Sequence, residues 1–201
     1  GPRYTLVEST PYDRPRTSMR AFEMCPRCRA EYEDPTSRRF HAQPNACPVC
    51  GPRVTLVDGR GQVLDDADPV AAAQARLGDG QIVAVRGPGG VHLACDARDI
   101  AAVDALRRRK NRPDQPFAVM ARDETAARKL AQLTGADAAL LTSWRRPIVL
   151  LDPTLDSPIA PGVCGAAPRV GVMLPWTPLQ HLLLAGSFEA LVMTSGNLSG
   201  A

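Results

Sequence analysis

The sequence predicts an α/β fold preceded by a small cysteine-rich module. From residue 69 onward, short apolar runs suited to buried strands alternate with helical patterns, whereas two C-x-x-C pairs lie in the first quarter of the 201-residue chain. A composition of 44% hydrophobic and 22% charged residues is in the globular range, with length enough for one sizeable core and an appendage. No apolar run of about 18 residues and no signal-peptide pattern occurs, so a cytoplasmic chain without a membrane partner is expected.

The elements follow in order. Pro69 to Leu77 has a helix start and a Gly78 stop, and Gln81-Ile-Val-Ala-Val85 reads as a buried strand. Val91 to Cys95 reads as a second extended piece, Asp99 to about Lys110 as a helix, and Phe117 to Met120 as a strand. Helices are expected over Asp123 to about Leu133 and Ala136 to about Ser143, followed by strands at Pro147–Leu151 and Arg169–Leu174. A helix from Thr177 to Ala185 and a last strand from Ala190 to Thr194 complete the pattern.

The first quarter differs in kind. Residues 1–53 hold four of the six cysteines, eight of the 19 prolines and nine arginines against six acidic residues, so the whole net charge of +3 resides there. That excess is too small to argue for nucleic acid as a partner. Cys25-Pro-Arg-Cys28 and Cys47-Pro-Val-Cys50 are separated by eighteen residues, the spacing of two knuckles that close a tetrahedral site on one structural Zn²⁺. The competing readings are disulfides, which a reducing compartment would not keep, and a redox pair, which needs a single C-x-x-C opening a helix after a strand. The spacer is too polar to fold by burial, so metal binding must supply most of the folding free energy. His41 within it is a weaker ligand candidate, better suited to a structural hydrogen bond.

Gly51-Pro-Arg-Val-Thr-Leu-Val57 repeats Gly1-Pro-Arg-Tyr-Thr-Leu-Val7 fifty positions on. If the second copy follows a C-x-x-C, the first is expected to have done so too. Residues 1–24 then read as the remnant of a preceding finger and a linker, 25–57 as a Cys₄ finger, 58–68 as a linker, and 69–201 as an α/β domain cut short at its C-terminus.

Three constellations in the larger domain can carry chemistry. Arg107-Arg-Arg-Lys110-Asn-Arg112 packs five cations into a helix end, either as a solvated basic terminus or as a phosphate clamp. Met193-Thr-Ser195-Gly-Asn197 ends a strand in a polar turn, where open α/β sheets bind ligands. Arg86-Gly-Pro-Gly89-Gly90-Val-His92 is either a plain loop or a close backbone approach to a ligand; it does not have dinucleotide-fingerprint spacing.

These residues resemble the HypF family, the carbamoyltransferases that mature nickel-iron hydrogenases. The resemblance is carried in order by both C-x-x-C pairs, Arg38-Arg-Phe-His-Ala-Gln-Pro-Asn45, Gly89-Gly-Val-His-Leu-Ala-Cys-Asp-Ala97, Arg109-Lys-Asn-Arg-Pro113, Arg146-Pro-Ile-Val-Leu-Leu151, Gly171-Val-Met-Leu-Pro-Trp-Thr-Pro178 and Thr194-Ser-Gly-Asn-Leu-Ser-Gly200. It implies a second zinc finger followed by a YrdC-like twisted mixed sheet with flanking helices. It implies further that carbamate derived from carbamoyl phosphate reacts with ATP and Mg²⁺ to give carbamoyl-adenylate, and that the carbamoyl group later passes to a cysteine of the partner HypE. On that resemblance Lys110 and Arg112 are the catalytic phosphate contacts, Ser195 and Asn197 hold the nucleotide, Arg146 contacts phosphate, and Gly89, Gly90 and His92 border the carbamate pocket. Arg107 and Arg108 are left as solvated face, and Gln115 stands where many relatives have Lys. The alternatives are a threonylcarbamoyl-adenylate synthase acting toward tRNA modification and an RNA-binding module.

Overall fold

Short helices, most of them opened by a side-chain cap, and a six-stranded sheet form the framework of the chain. The computed structural model describes residues 6–65, 67–87 and 90–197, and the chain divides into two compact units, residues 1–55 and 56–201.

The first unit is held by polar groups and thiols rather than by an apolar core. Two 3₁₀ turns, Arg14–Arg16 and Ser18–Ala21, precede helix α1, Pro26–Glu33, which starts on Cys25 with proline in its first turn. Met19 and Cys28 are its only buried apolar side chains among the described residues. Their neighbours in the interior are Arg14, Thr17, Gln43 and Asn45. The Arg14 guanidinium donates to the carbonyls of Gln43 at 2.8 Å, Asn45 at 2.7 Å and Phe22 at 2.6 Å, while Asn45 Nδ2 donates to Cys28 O at 2.8 Å. The stretch that composition marks as remnant and linker is thus anchored to the finger by a buried arginine whose donors satisfy loop carbonyls that no ladder covers.

The second unit opens with a hairpin, β1 Leu56–Val57 and β2 Val63–Asp65, where a linker was expected from 58 to 68. The Asp58 carboxylate accepts from the backbone N–H groups of Arg60 and Gln62, closing the turn on itself. Then follow α2 Pro69–Gly78, β3 Val83–Gly87, β4 Gly90–Asp96, α3 Ile100–Lys110, β5 Ala118–Ala121, α4 Glu124–Leu130, α5 Gly135–Thr142, β6 Val149–Leu151, β7 Val170–Met173, α6 Pro178–Leu184 and β8 Ala190–Ser195. The strands form one sheet in the order β3-β4-β8-β5-β7-β6. Only β5 and β7 pair in parallel, so the sheet is mixed.

Strand alternation divides the interior in two. Cys95, Val119, Val172 and Val192 point to one face, beneath Val103 and Leu106 of α3, Leu130 of α4 and Leu141 of α5. Ala94, Met120, Met173, Leu191 and Met193 point to the other, beneath Leu77 of α2 and Leu183 and Leu184 of α6. Each of these five helices begins on a side-chain cap: Asp68, Asp99, Asp123, Thr134 and Thr177 each accept from the N–H of the third helical residue. α4 stops at Leu130, short of the expected Leu133, because Ala131 turns extended to bridge Pro153 and Thr134 already caps the next helix.

The Asp123 cap carries a pH signature. Backbone N–H donation from Ala126, aided by Arg122, holds its carboxyl below the ordinary value. A depressed folded pKa contributes stability that is present above the ordinary aspartate value and lost as pH falls through the folded one. Asp123→Ala is therefore expected to cost about 1 kcal/mol in a urea melt at pH 7, and the difference from the parent protein shrinks below about pH 4.

Candidate functional site

The four knuckle cysteines converge as the spacing predicts. Their Sγ atoms all lie within 4.8 Å of one another, with Cys25 to Cys47 at 3.7 Å and Cys47 to Cys50 at 3.8 Å. A tetrahedral Zn²⁺ with bonds of about 2.3 Å places its sulfurs about 3.8 Å apart, so the donor set fits the ion. Backbone N–H groups of Cys50 and Val49 hold the Cys47 thiol below its ordinary value, and those of Cys25 and Cys47 bring Cys50 down to about 6, whereas burial pushes Cys28 up to about 12, so two of the four thiols are disposed toward the thiolate that a metal needs. Gly51 closes the second knuckle under close packing: a Cβ there would sit 2.8 Å from Ala46 Cβ and 3.0 Å from Cys47 O. His41 lies outside the cysteine cluster. Its imidazole stacks on Tyr32 at 5.1 Å and meets Phe40 edge-on at 4.3 Å, so ring packing takes the place of the expected hydrogen bond.

In the α/β unit, the end of β8 is the meeting point. Helix α3 buries Ala102, Val103, Leu106 and then Lys110, so a charged residue completes an apolar stripe. Lys110 is only 3% exposed. Its ammonium donates to the carbonyl of Ser195 at 2.6 Å and to that of Asn197 at 2.7 Å. Burial, and then the charge of Arg112, push its pKa down. Asn111, in the left-handed region at φ 49°, ends the helix and turns the chain toward Arg112.

Ser195 is the last residue of β8, and its hydroxyl donates to Asn197 Oδ1. The residue between them must be small. The Gly196 N–H donates to Val91 O at 2.7 Å, and a Cβ on it would lie 3.1 Å from the Val91 side chain and 3.2 Å from that carbonyl. β4 runs alongside with His92 opposite Ser195, and His92 in turn faces Val85 of β3. Gly90, at φ 116°, occupies backbone space that disfavours any side chain at the mouth of the β3–β4 turn. Lys110, Arg112, Gly90, His92, Ser195 and Asn197 are thus gathered at one end of the sheet. Gly89 lies outside the described residues.

Arg146 is not brought to this cluster. Strand register places Val149, Val172, Val119 and Val192 at one level, with Ser195 three residues further along β8. Arg146 lies in the turn three residues before Val149, where β6 begins; β6 runs the same way as β8 and lies three strands across, so its start is at the end of the sheet away from Ser195. It occupies a left-handed turn residue and donates weakly to Leu141 O. Arg107 is likewise not solvated face: its guanidinium meets the carbonyls of Arg112, Pro113, Gln115 and Gly162. A single-sequence reading missed that role because four carbonyl acceptors leave no side-chain signal. Cys95 is buried, and desolvation, with Asp96 and Asp99 nearby, pushes its thiol up to about 12, which removes it as a nucleophile. Among the described residues, no helix is long and apolar enough to cross a membrane.

Comparison with known proteins agrees with this layout. Residues 24–57 match the HypF finger, and residues 75–201 match the Sua5, YciO and YrdC family described as telomere recombination. The carbamoyltransferase HypF of Rhodobacter capsulatus is 55% identical over the whole chain, which covers 26% of that protein. A solved HypF from T. kodakarensis superposes with a TM-score of 0.87 at 42% identity, and a full-length HypF in its phosphate- and nucleotide-bound form with 0.86 at 44%. In both, the match takes in 100% of this chain and 26% of the other. The chain spans about a quarter of the length of the curated relatives it matches. With a four-cysteine finger, a lysine-clamped strand end and homology to HypF carbamoyltransferases along its full length, the chain belongs to the Sua5, YciO and YrdC family.

Proposed function

We propose that residues 69–201 form carbamoyl-adenylate from ATP and carbamate, within a larger carbamoyltransferase that serves nickel-iron hydrogenase maturation in the cytoplasm. The observation that carries this reading is Lys110, buried and fixed by the carbonyls of Ser195 and Asn197 beside Arg112. Adenylation needs charge neutralisation more than a base. A carbamate oxygen bonds to the α-phosphorus, the bond from that phosphorus to the β-phosphate bridging oxygen breaks, and pyrophosphate leaves carrying the electron pair. Lys110 and Arg112 supply fixed positive charge for the phosphates of Mg²⁺-bound ATP, in a site that needs no reorganisation when charge develops. Ser195 and Asn197 hold the nucleotide at the strand end, and Gly90 and His92 border the carbamate. Arg146 has no part in this step.

The carbamoyl group would then pass, in the larger protein, to the C-terminal cysteine of HypE. The finger at 25–57 holds one structural Zn²⁺ and takes no part in the chemistry. A threonylcarbamoyl-adenylate synthase is the other reading within this family; the HypF finger and identities of 42–55% along the chain favour carbamoyl transfer. Exchange of labelled pyrophosphate into ATP by the full-length protein tests it. Exchange is expected to depend on carbamoyl phosphate; exchange that instead requires threonine and bicarbonate would overturn the reading.

A further inference from the structure

We infer that Arg107 is a positioning residue for the nucleotide site, holding the loop after α3 so that Arg112 stands beside Lys110. This inference rests on the proposed reading of that site. The loop Asn111-Arg-Pro-Asp-Gln-Pro116 cannot hold itself. Two of its six residues are prolines without an N–H, it belongs to no strand or helix, and all but Arg112 are exposed. Water can solvate its exposed carbonyls, but only donors from elsewhere in the protein can fix the position of the loop.

Arg107 supplies them from one turn before Lys110. Its Nη1 is shared among the carbonyls of Arg112 at 2.6 Å, Pro113 at 2.9 Å and Gln115 at 3.0 Å. Nε and Nη2 donate to Gly162 O, in the 3₁₀ turn Pro161–Val163. The guanidinium lies 4.7 Å over the Phe117 ring, at the entry to β5. That turn and the residues after it are laced back to the loop, with Phe117 N–H donating to Val163 O at 2.9 Å and Ala166 N–H to Asp114 O at 3.2 Å. One planar fork thus fixes both ends of the segment carrying Arg112. The same loop borders an open hollow of about 410 Å³ lined by Asp104, Arg107, Arg108, Asn111, Arg112 and Pro113. A lysine in this place offers one compact ammonium and cannot span four carbonyls.

The test is ATP affinity of the full-length protein, by calorimetry, for Arg107→Met, Arg112→Met and the double variant. Arg107→Met is expected to weaken ATP about tenfold, Arg107→Lys nearly as much, and the double variant no more than about twofold beyond Arg112→Met. Effects that multiply, or wild-type affinity in Arg107→Met, overturn the inference. Absence of ATP binding by the wild-type protein would sink the proposed function instead. Hydrogen exchange then decides the role of Arg107, with the lysine variant carrying both readings where the methionine variant does not fold. Exchange about tenfold faster at the amides of residues 111–117, with β8 unchanged, supports it, and unchanged exchange there overturns it.

Discussion

Lys110→Met is expected to lower carbamoyl-phosphate-dependent pyrophosphate exchange by about two to three orders of magnitude, the range seen when one fixed charge or donor is removed from a transition state. Two effects add. The substitution deletes a positive charge from a side chain that is nearly buried, where solvent screens it less. It also strips the Ser195 and Asn197 carbonyls of their ammonium donor, at a cost of about 1–3 kcal/mol. The turn that holds the nucleotide therefore loosens with the charge that neutralises it. Arg109→Met, on the same helix end but exposed and outside the hollow that Arg112 lines, is expected to leave exchange within about twofold, so the pair of variants separates a fixed charge at the strand end from a general loss of basic surface.

Removing the metal is expected to unfold the first unit and spare the second. Cys28→Ala, or chelation, should abolish hydrogen-exchange protection across residues 14–50 while the amides of β4, β5 and β8 stay protected. The apparent loss for the finger is on the order of 10 kcal/mol, because Met19 and Cys28 are nearly all of its buried apolar surface. Neither of the two apolar clusters of the sheet contains a residue before Leu56, so the α/β unit keeps its whole core. Simultaneous loss of protection in both units would contradict this division. Zinc analysis of residues 1–201 should give one ion, at the Cys25, Cys28, Cys47 and Cys50 site.

How far the sequence could be read depended on whether a residue's role is local. The knuckles follow from spacing, because two cysteines three positions apart in a tight turn bring their thiols to one side whatever surrounds them. The strands Val83–Gly87 and Ala190–Ser195 were visible as short apolar runs, and the helices from their caps and glycine stops. Lys110 and Ser195, 85 residues apart, could be joined only through resemblance to a family; the hydrogen bond between them belongs to the packing of α3 against β8. Arg14 shows the same limit from the other side. In sequence it is one more cation in a proline-rich stretch, yet it fills the centre of the finger by satisfying carbonyls from residues 22, 43 and 45. Arg146 marks the opposite case: the resemblance implies a phosphate contact, while strand register has β6, three residues after it, begin at the end of the sheet away from Ser195.

That last contrast gives the most direct measurement of the central claim, that the nucleotide is held at the end of β8. ATP affinity of the full-length protein should be determined by calorimetry for the wild type, Lys110→Met and Arg146→Met. Affinity about a hundredfold weaker in Lys110→Met and within about twofold of wild type in Arg146→Met is the predicted result. Wild-type affinity in Lys110→Met, or a comparable loss in Arg146→Met, would contradict it.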